Sequence, residues 1–497
     1  MTIKNMPYFK NPVKVSLHII TLSLLLNACS LAPKYQKPQI QSNIPLPPPM
    51  LGSDIQLRAY QIGWANYFAD PQLKALIEIG LKNNYEVQKA ILNLKRANAQ
   101  YGLDIYNLIP NLQFQGIDKR RTGFIDNSSK KIIAQQYNSG LGVTNFELDV
   151  YRKFDQGQAS QHQLKATYYD KLNSDIAIIS SIAKKYFTMR INETVLSNVQ
   201  QSLEYQKELY RIQELRHKAG IISTLELLRH QNALDSAQSN YLNVKEQYTM
   251  SVNELAILIG QAIPSNLPTR SPLDKQFSYT SFPKDIPSEV MLYRPDIRSA
   301  EERLKQANAQ IGMARAAFFP RITLTGSIGT SSTHLDKLFN ISAMQWTAGP
   351  NITIPLFNIF PNVTNLKLSK IAKEEMILNY NQAIQQAFFE VTTAINISEK
   401  LQSQYELSKK IMLNNQKARD LTRLRFNQGI TDRNEMLDAE NRFIDSQNNF
   451  LNTQQTKLFN QVDLYTTLGG GINHYNSQPK HNKTKAKEVN EGGTESK

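Results

Sequence analysis

Apolar and polar residues follow two different periods along this chain, and the periods change in the same order twice. Apolar positions recur at helical spacing over residues 72–108 and again over 295–318. Pro110 follows the first stretch and Pro320 ends the second, and proline cannot continue a helix. The pattern therefore predicts one helix in each place, ended at its proline.

Beyond each proline the period becomes two. Leu112 and Phe114 alternate with polar residues, and Ile322 and Leu324 do so in the same phase. A second alternating segment follows in each half, near 137–149 in the first. Its apolar positions in the second half are Trp346, Ala348, Ile352 and Ile354. Alternation predicts strands with one apolar and one polar face. Such strands suit a half-buried sheet or a membrane barrel, and the pattern alone favours the half-buried sheet.

Long stretches without helix breakers follow the strands and shift this balance towards the barrel. Residues 153–217 contain one early glycine, Gly157, and no proline, while residues 362–425 contain neither. Each spans about 64 residues, and a helix of that length rises roughly 95 Å. Helices in globular domains average nearer a dozen residues. The length favours a coiled coil or a helical barrel.

Each long helix is followed by a glycine that reads as a turn or a C-cap. Gly220 and Gly429 take these positions, because glycine adopts the left-handed conformation that ends many helices. Returning helices are predicted over 222–259 and 432–467. Each half therefore contains a helical hairpin turned at its glycine.

The two halves are related by duplication. Residues 94–116 and 304–326 are identical at nine of 23 positions without a gap, at an offset of 304 − 94 = 210. A repeat of this length predicts two equivalent structural units. We therefore assign a first repeat to 61–265, a connector rich in proline to 266–290 and a second repeat to 291–470.

The N-terminus has the pattern of an exported lipoprotein. Three lysines precede a short apolar run over 15–26, and residues 1–28 are predicted to be a signal peptide. The run is too short for a hydrocarbon core of roughly 30 Å. Residues 26–29, with the sequence LNAC, resemble the bacterial lipobox, although Asn27 is less usual at its place. The resemblance implies N-palmitoyl and S-diacylglycerol groups on Cys29.

An ordinary signal peptide that happens to contain a cysteine is the alternative, but Cys29 is the only cysteine of the chain and this favours acylation. An aspartate at the next position tends to retain lipoproteins at the inner membrane, so Ser30 is compatible with the outer membrane. The proline-rich residues 29–60 are predicted to form an extended lipid-anchored tether. Residues 471–497 are predicted to be a disordered basic tail.

Composition excludes several classes of function. The chain has 497 residues and a formal net charge of +15, but no motif that combines basic and aromatic residues for nucleic acid. One cysteine allows no disulfide within the chain and no cysteine-based zinc site. The seven histidines show no metal-ligand spacing. No cofactor, metal or nucleic-acid partner is therefore expected.

Several segments match, in the same order along the chain, the pattern of one known family, and they cover nearly all of the mature chain. The matching positions are Trp64, Phe68, Asp70, Pro71 and Leu73, then Arg294-Pro295-Asp296-Ile297-Arg298, Ala300-Glu301, Leu304, Ala307, Ala309, Ile311-Gly312, Ala314-Arg315-Ala316-Ala317 and Phe319-Pro320, and finally Arg425-Phe426-Asn427-Gln428-Gly429 and Leu437-Asp438-Ala439. In these segments the chain resembles the TolC family of outer-membrane efflux proteins, in its lipidated multidrug-efflux subgroup.

The resemblance implies a mixed, mainly α fold in an internally duplicated chain. It implies a homotrimer whose four strands per chain form a 12-stranded outer-membrane β-barrel, continuing into a long periplasmic α-helical barrel. The four strands of one chain are too few for a barrel, which needs at least eight. A periplasmic adaptor and an inner-membrane pump would dock at the far end of the tunnel. The implied function is passive conduction of drugs or other small molecules, without catalysis, from the inner-membrane pump of a Gram-negative bacterium across its periplasm and outer membrane.

The resemblance also implies an acidic periplasmic aperture close to the tip turns. Glu435 and Asp438 lie six and nine residues beyond Gly429, and Glu226 lies six beyond Gly220. Carboxylates from several chains would form a ring that attracts cations. The alternative is that each is an ordinary solvated acid on a helix. Some relatives seal the aperture with an apolar residue where this chain has Asn434, which argues against an apolar seal here.

Two other functions compete with the channel. A periplasmic adaptor also has a lipid anchor and a helical hairpin, but adaptors contain domains of many short strands, which the long duplicated helices argue against. An envelope-anchored hydrolase would need a Gly-x-Ser-x-Gly elbow, a metal-spaced His and Glu set or a phosphate loop, and none is present.

Overall fold

A computed structural model describes the chain in five ranges. These are 30–38, 62–124, 131–278, 292–355 and 359–471. Several sequence predictions lie outside them, namely the signal peptide, Cys29, most of the tether, the second half of the connector and nearly all of the basic tail.

Helices dominate the described residues, and the strands occupy two short regions between them. The helices are α1 (Trp64–Tyr67), α2 (Pro71–Asn83), α3 (Tyr85–Tyr106), α4 (Val150–Lys218), α5 (Thr224–Ile259), α6 (Pro295–Ala316), α7 (Ile359–Asn427) and α8 (Arg433–Thr467). The strands are β1 (Leu112–Phe124), β2 (Lys131–Glu147), β3 (Arg321–Ser332) and β4 (Met344–Thr353). Short 3₁₀ segments at Leu335–Lys337 and Ile341–Ala343 join β3 to β4.

The two long helices confirm the duplication. Both α4 and α7 have 69 residues. They start 359 − 150 = 209 residues apart and end 427 − 218 = 209 residues apart. A straight helix of this length rises roughly 100 Å. The mixed, mainly helical class and the uninterrupted long helices are therefore as predicted.

The predicted helix over 72–108 is wrong in one respect, because it is broken at Asn84 into α2 and α3. The backbone of Asn84 is extended, with φ −62° and ψ 131°. Its Oδ1 accepts hydrogen bonds from the backbone N–H groups of Glu86 at 2.8 Å and Val87 at 3.3 Å, so it caps α3. Its Nδ2 donates to the carbonyl of Leu258 at 2.7 Å. The break is stabilised by a contact remote in sequence.

The four strands form one antiparallel sheet in the order β1-β2-β3-β4. The central pair, β2 with β3, joins the two repeats, and β1 and β4 are the sheet edges. The predicted strand near 137–149 is longer than expected and starts at Lys131. Ile354 lies one residue beyond the end of β4.

One face of the sheet is an exposed row of apolar side chains. Phe114 pairs with Leu141, Leu141 with Ile328, and Ile328 with Trp346, so the row crosses all four strands. Their relative exposures are 70%, 46%, 51% and 75%. A half-buried sheet would cover this face. The expectation that the alternation alone favoured is therefore wrong.

The next row of the same register is polar and points to the opposite face. Gln113 pairs with Gly142, Gly142 with Ser327, and Ser327 with Thr347. Successive side chains of a strand alternate between faces, so the two rows are separated by the sheet itself. The sheet thus has one apolar and one polar face.

The chain divides into two compact units. The first contains the sheet with α3, α6 and parts of α4 and α7, and its described residues include 30–38. Its interior is lined by buried residues of α6 and α4, including Leu304, Ile311 and Ala166.

The second unit contains α1, α2, α5, α8 and the remaining parts of α4 and α7. Three of the residues that match the N-terminal family pattern, Phe68, Asp70 and Leu73, are buried in its core. Asp70 caps α2 and accepts a hydrogen bond from the hydroxyl of Tyr186 at 2.8 Å. Arg190 donates to the same hydroxyl at 2.8 Å. Phe68 packs against Phe277 at a centroid distance of 5.8 Å. Burial raises the pKa of the Tyr186 phenol.

Arg294, the first residue of the strongest family segment, ties α7 to the end of α8 in this unit. Its guanidinium donates to the carboxylate of Glu390 at 2.7 Å and to the carbonyl of Thr467 at 3.2 Å. Only 7% of Arg294 is exposed. The last carbonyl groups of a helix have no partner within the helix, so this arginine satisfies one of them.

No helix of the described ranges has a stretch long and apolar enough to cross a membrane.

Candidate functional site

The turn between α4 and α5 is built around Gly220. Its φ is 73°, in the left-handed region. The N–H of Ile221 donates to the carbonyl of Arg216, and the N–H of Gly220 donates to the carbonyl of His217, both at 2.9 Å. This pair of hydrogen bonds is the Schellman motif, which ends a helix and favours glycine at the left-handed position.

The turn between α7 and α8 repeats the same geometry. Gly429 has φ 71°, its N–H donates to Phe426, and the N–H of Ile430 donates to Arg425, again both at 2.9 Å. The two turns are thus equivalent parts of the duplication. The structure places both glycines in turns, and their position at a periplasmic tip stays a prediction.

Both predicted aperture glutamates lie in the first turn of a returning helix. Ser223 caps α5 by accepting from the N–H of Glu226 at 3.2 Å. Asp432 caps α8 by accepting from the N–H of Glu435 at 2.9 Å. A carboxylate in the first turn is stabilised by the helix dipole, so both residues have a structural reason to be acidic.

Asp438 and Glu435 each lie close to an arginine. Asp438 forms an ion pair of 2.7 Å with Arg442, four residues further along α8. Glu435 lies 3.6 Å from Arg425 on α7 and bonds to the hydroxyl of Thr431. Asp438 and Glu435 are both exposed, as is Asn434. The site is therefore an exposed charged surface of mixed sign, and a lumen-facing role for these acids stays a prediction.

Contacts between aromatic and charged side chains connect the helices that lead to and from the turns. The guanidinium of Arg423 on α7 lies 4.4 Å from the ring centroid of Tyr205 on α4 and 3.4 Å from the carboxylate of Glu440 on α8. Arg419 lies 4.0 Å from the ring centroid of Phe443. The sequence analysis missed these contacts, because they join different helices and no local pattern links them; Tyr205 and Arg423 are 423 − 205 = 218 positions apart.

His230 is a second group that the sequence analysis missed. It is 4% exposed on α5, and its Nδ1 has no hydrogen-bond partner among the residues described. Burial, together with the nearby charges of Arg433 and Arg216, lowers its pKa to about 4, and Glu226 opposes them. The imidazole is therefore neutral at pH 7. The sequence around His230 did not predict its burial, because a single histidine in an amphipathic helix is common.

The turns also expose apolar side chains. Ile221 and Ile430, which follow the two glycines, are 63% and 62% exposed. Leu225 and Leu228, one turn apart on α5, are exposed as well. Exposed apolar residues grouped in this way indicate a protein-contact surface. Within the described ranges, no group of His, Cys, Asp and Glu side chains could hold a metal ion.

A four-stranded sheet with an exposed apolar face, in a chain of duplicated helices of 69 residues, defines a TolC-type channel protein. Comparison with known families agrees. The chain belongs to the family described as Outer membrane efflux protein, which it matches over residues 76–261 and 286–470.

Relatives and solved structures extend the agreement to nearly the whole chain. The toluene efflux pump outer membrane protein TtgC of Pseudomonas putida is 30% identical over 469 residues, which are 92% of this chain and 96% of TtgC. The cation efflux system protein CusC of Escherichia coli is 31% identical over 457 residues, 90% of this chain and 97% of CusC. The open-state crystal structure of the MtrE outer membrane channel of Neisseria gonorrhoeae matches with a TM-score of 0.78 and 34% identity, covering 89% of this chain and 99% of MtrE.

These similarities confirm the predicted family, function and location. The protein is an outer-membrane efflux channel of a tripartite efflux system, and it extends into the periplasm. The relatives are channels, and nothing in the comparisons supports the adaptor alternative.

Proposed function

We propose that three copies of this chain form one pore. Three sheets supply 3 × 4 = 12 strands for a barrel in the outer membrane, which continues into a periplasmic helical barrel. A periplasmic adaptor joins the helical end to an inner-membrane pump. The channel conducts passively, and the pump provides the energy.

The observation that supports this proposal is the sheet, whose apolar face is exposed and whose two edge strands have no strand partner among the described residues. Phe114 and Trp346 lie at the ends of the apolar row, on the edge strands β1 and β4. Strand edges within a bilayer must be paired, because an unsatisfied backbone group there costs several kcal/mol. Further copies of the chain are the natural partners for both edges.

The names of two relatives refer to different exported compounds. TtgC is described as part of a toluene efflux pump and CusC as part of a cation efflux system, and this chain is 30% and 31% identical to them, respectively. One channel fold therefore serves chemically different cargoes. We propose that the pump selects the exported compound and that this channel accepts it without a binding site of its own.

Two neighbouring positions of β3 provide the test. Ile328 belongs to the apolar row and Ser327 to the polar row, and both are exposed. A lysine on a lipid-facing strand position costs about 2–4 kcal/mol at the membrane midplane. Ile328→Lys should therefore prevent insertion into planar bilayers, while Ser327→Lys should insert and change only the conductance.

Size determination in detergent and bilayer recording are the measurements. The unaltered protein should run as a trimer and give discrete conductance steps. A monomer that never conducts would overturn the proposal, as would equal tolerance of lysine at the two positions.

We also propose that Cys29 bears the lipid, with an N-palmitoyl and an S-diacylglycerol group, as its lipobox-like sequence suggests. The anchor holds the chain at the membrane during assembly. Cys29→Ser should abolish incorporation of labelled palmitate, and Ser30→Thr should leave it unchanged. Labelling that survives the loss of the only cysteine would contradict the proposal.

A further inference from the structure

The residues that directly follow Cys29 are bound to a buried carboxylate. Asp155 of α4 is 0% exposed. Its Oδ1 accepts a hydrogen bond from the hydroxyl of Ser30 at 2.5 Å, and its Oδ2 accepts one from the N–H of Leu31 at 3.2 Å. The same Ser30 hydroxyl accepts from the N–H of Ala32 at 3.1 Å. Ser30 thus folds the segment into a local turn and fastens it to α4.

Helix α6 provides the opposite wall. Arg315 donates to the carbonyl of Leu31 at 2.9 Å, and the amide of Asn308 donates to the carbonyl of Pro33 at 2.7 Å. Asn308 is 6% exposed and is oriented by Lys373 of α7, whose ammonium donates to its Oδ1 at 2.8 Å. Three helices of the first unit therefore contribute to binding the main chain of this segment.

Gly312 of α6 leaves the space that the segment occupies. A Cβ at this position would overlap the carboxylate of Asp155 and lie 2.6 Å from the backbone nitrogen of Ala32. Any side chain here would displace the segment, the carboxylate or both. Gly157 of α4 differs, because its added Cβ would meet only Ile105 at 3.9 Å.

The buried carboxylate of Asp155 is stabilised when the segment is bound beside it. A buried carboxylate is costly unless hydrogen-bond donors surround it. The segment itself supplies two such donors to Asp155, the hydroxyl of Ser30 and the N–H of Leu31. Burial raises the pKa of Asp155 and these two donors lower it, so the segment helps to keep the carboxylate charged.

We propose that Asp155, Asn308, Gly312 and Arg315 form a binding site for the first residues of the mature chain, Ser30 to Pro33, which holds the acylated end close to the start of α4. The inference rests on the proposed processing at Cys29. It also gives residue 30 a role in the finished channel. Alanine there would lose both hydroxyl bonds, and aspartate would place a second carboxylate against Asp155.

A spin label at residue 34 tests the site in the full-length channel. Lys34 is exposed and adjoins Pro33. Once Cys29 is acylated, its sulfur is a thioether, so Lys34→Cys supplies the only free thiol. The electron paramagnetic resonance spectrum of the reconstituted protein should show an immobilised label. Gly312→Ala should abolish the immobilised component, and the matched Gly157→Ala should retain it.

Ser30→Ala is a second variant that leaves every helix unchanged, and it should also free the label. Trimer formation on a gel shows that each variant folds. An immobile label in Gly312→Ala and Ser30→Ala, or a mobile label in the parent protein, would overturn the site. The mass of the N-terminal peptide reports acylation separately. An unmodified Cys29 would refute the lipid proposal without deciding the label's mobility.

Discussion

The carboxylate of Asp438 lies 2.7 Å from the guanidinium of Arg442, one turn further along the same helix. The two side chains are 58% and 71% exposed, respectively. An exposed pair of this kind contributes little to stability, typically about 0–1 kcal/mol. In the predicted aperture its role would be electrostatic, because Arg442 offsets the charge that Asp438 would present to a passing ion.

Removing the charge of Arg442 and removing the charge of Asp438 should therefore change ion selectivity in opposite directions. Arg442→Gln should raise the preference for cations and Asp438→Asn should lower it, as measured by reversal potentials across a salt gradient. Asp445→Asn removes an exposed acid further along α8 and is the control. Equal effects of Asp438→Asn and Asp445→Asn would argue against an aperture at Asp438.

The turn glycines should be intolerant of side chains. At positive φ an L-residue costs roughly 1–2 kcal/mol, so Gly220→Ala and Gly429→Ala should each loosen the turn by about that amount. The amide N–H groups of Ile221 and Ile430, which close the two turns, should exchange with solvent roughly tenfold faster. Gly157→Ala, within a helix, should leave both rates unchanged. Unaltered exchange in the turn variants would contradict the assigned geometry.

Arg294 should be a major stabilising residue of the second unit. Removing its charged hydrogen bonds to Glu390 and Thr467 should lower the free energy of unfolding by about 2–3 kcal/mol in Arg294→Ala. Arg294→Lys should recover part of this loss. Arg303→Ala breaks an exposed pair with Asp170 and should change stability by less than about 1 kcal/mol. Chemical unfolding in detergent distinguishes these outcomes, and equal losses in the two alanine variants would refute the role.

Acid should destabilise the hairpins through His230. Its folded pKa of about 4 lies below the ordinary value near 6.5, so the unfolded chain binds the proton more tightly. The contribution of neutral His230 to the free energy of unfolding is therefore fully present above about pH 6.5. It declines as the pH falls towards 4, by about 1–2 kcal/mol between pH 7 and pH 5.

Unfolding experiments at these two pH values measure the effect. His230→Leu should reduce the acid sensitivity, whereas His217→Gln, at the turn itself, should leave it in place. The prediction fails if the leucine variant is as acid-sensitive as the parent.

The sequence was sufficient for those parts of the fold that depend on local pattern. The absence of proline, with Gly157 as the one glycine, predicted α4 and α7 to within a few residues of Val150–Lys218 and Ile359–Asn427. The shared phase of Leu112 and Ile322 predicted equivalent strands in the two halves. Both features depend on the local sequence, so packing against a neighbouring helix changes them little.

Long-range contacts account for what the sequence did not reveal. The break at Asn84 depends on the carbonyl of Leu258, and the binding of Ser30 depends on Asp155. The alternating strands predicted two faces but not which one would be covered. That question is decided by the rest of the molecule, which leaves Trp346 75% exposed. The aperture acids were proposed by resemblance, and their capping neighbours became visible only in three dimensions.

In the proposed trimer, the sheet edges at β1 and β4 have a genetic consequence. A pore whose wall is shared among copies fails when one copy is defective. A mutant chain that folds its sheet but distorts one edge would still be recruited, and it would disable the intact chains on either side of it. Alleles affecting Leu112–Phe124 or Met344–Thr353 should therefore be dominant over a wild-type copy, whereas alleles that prevent export should be recessive.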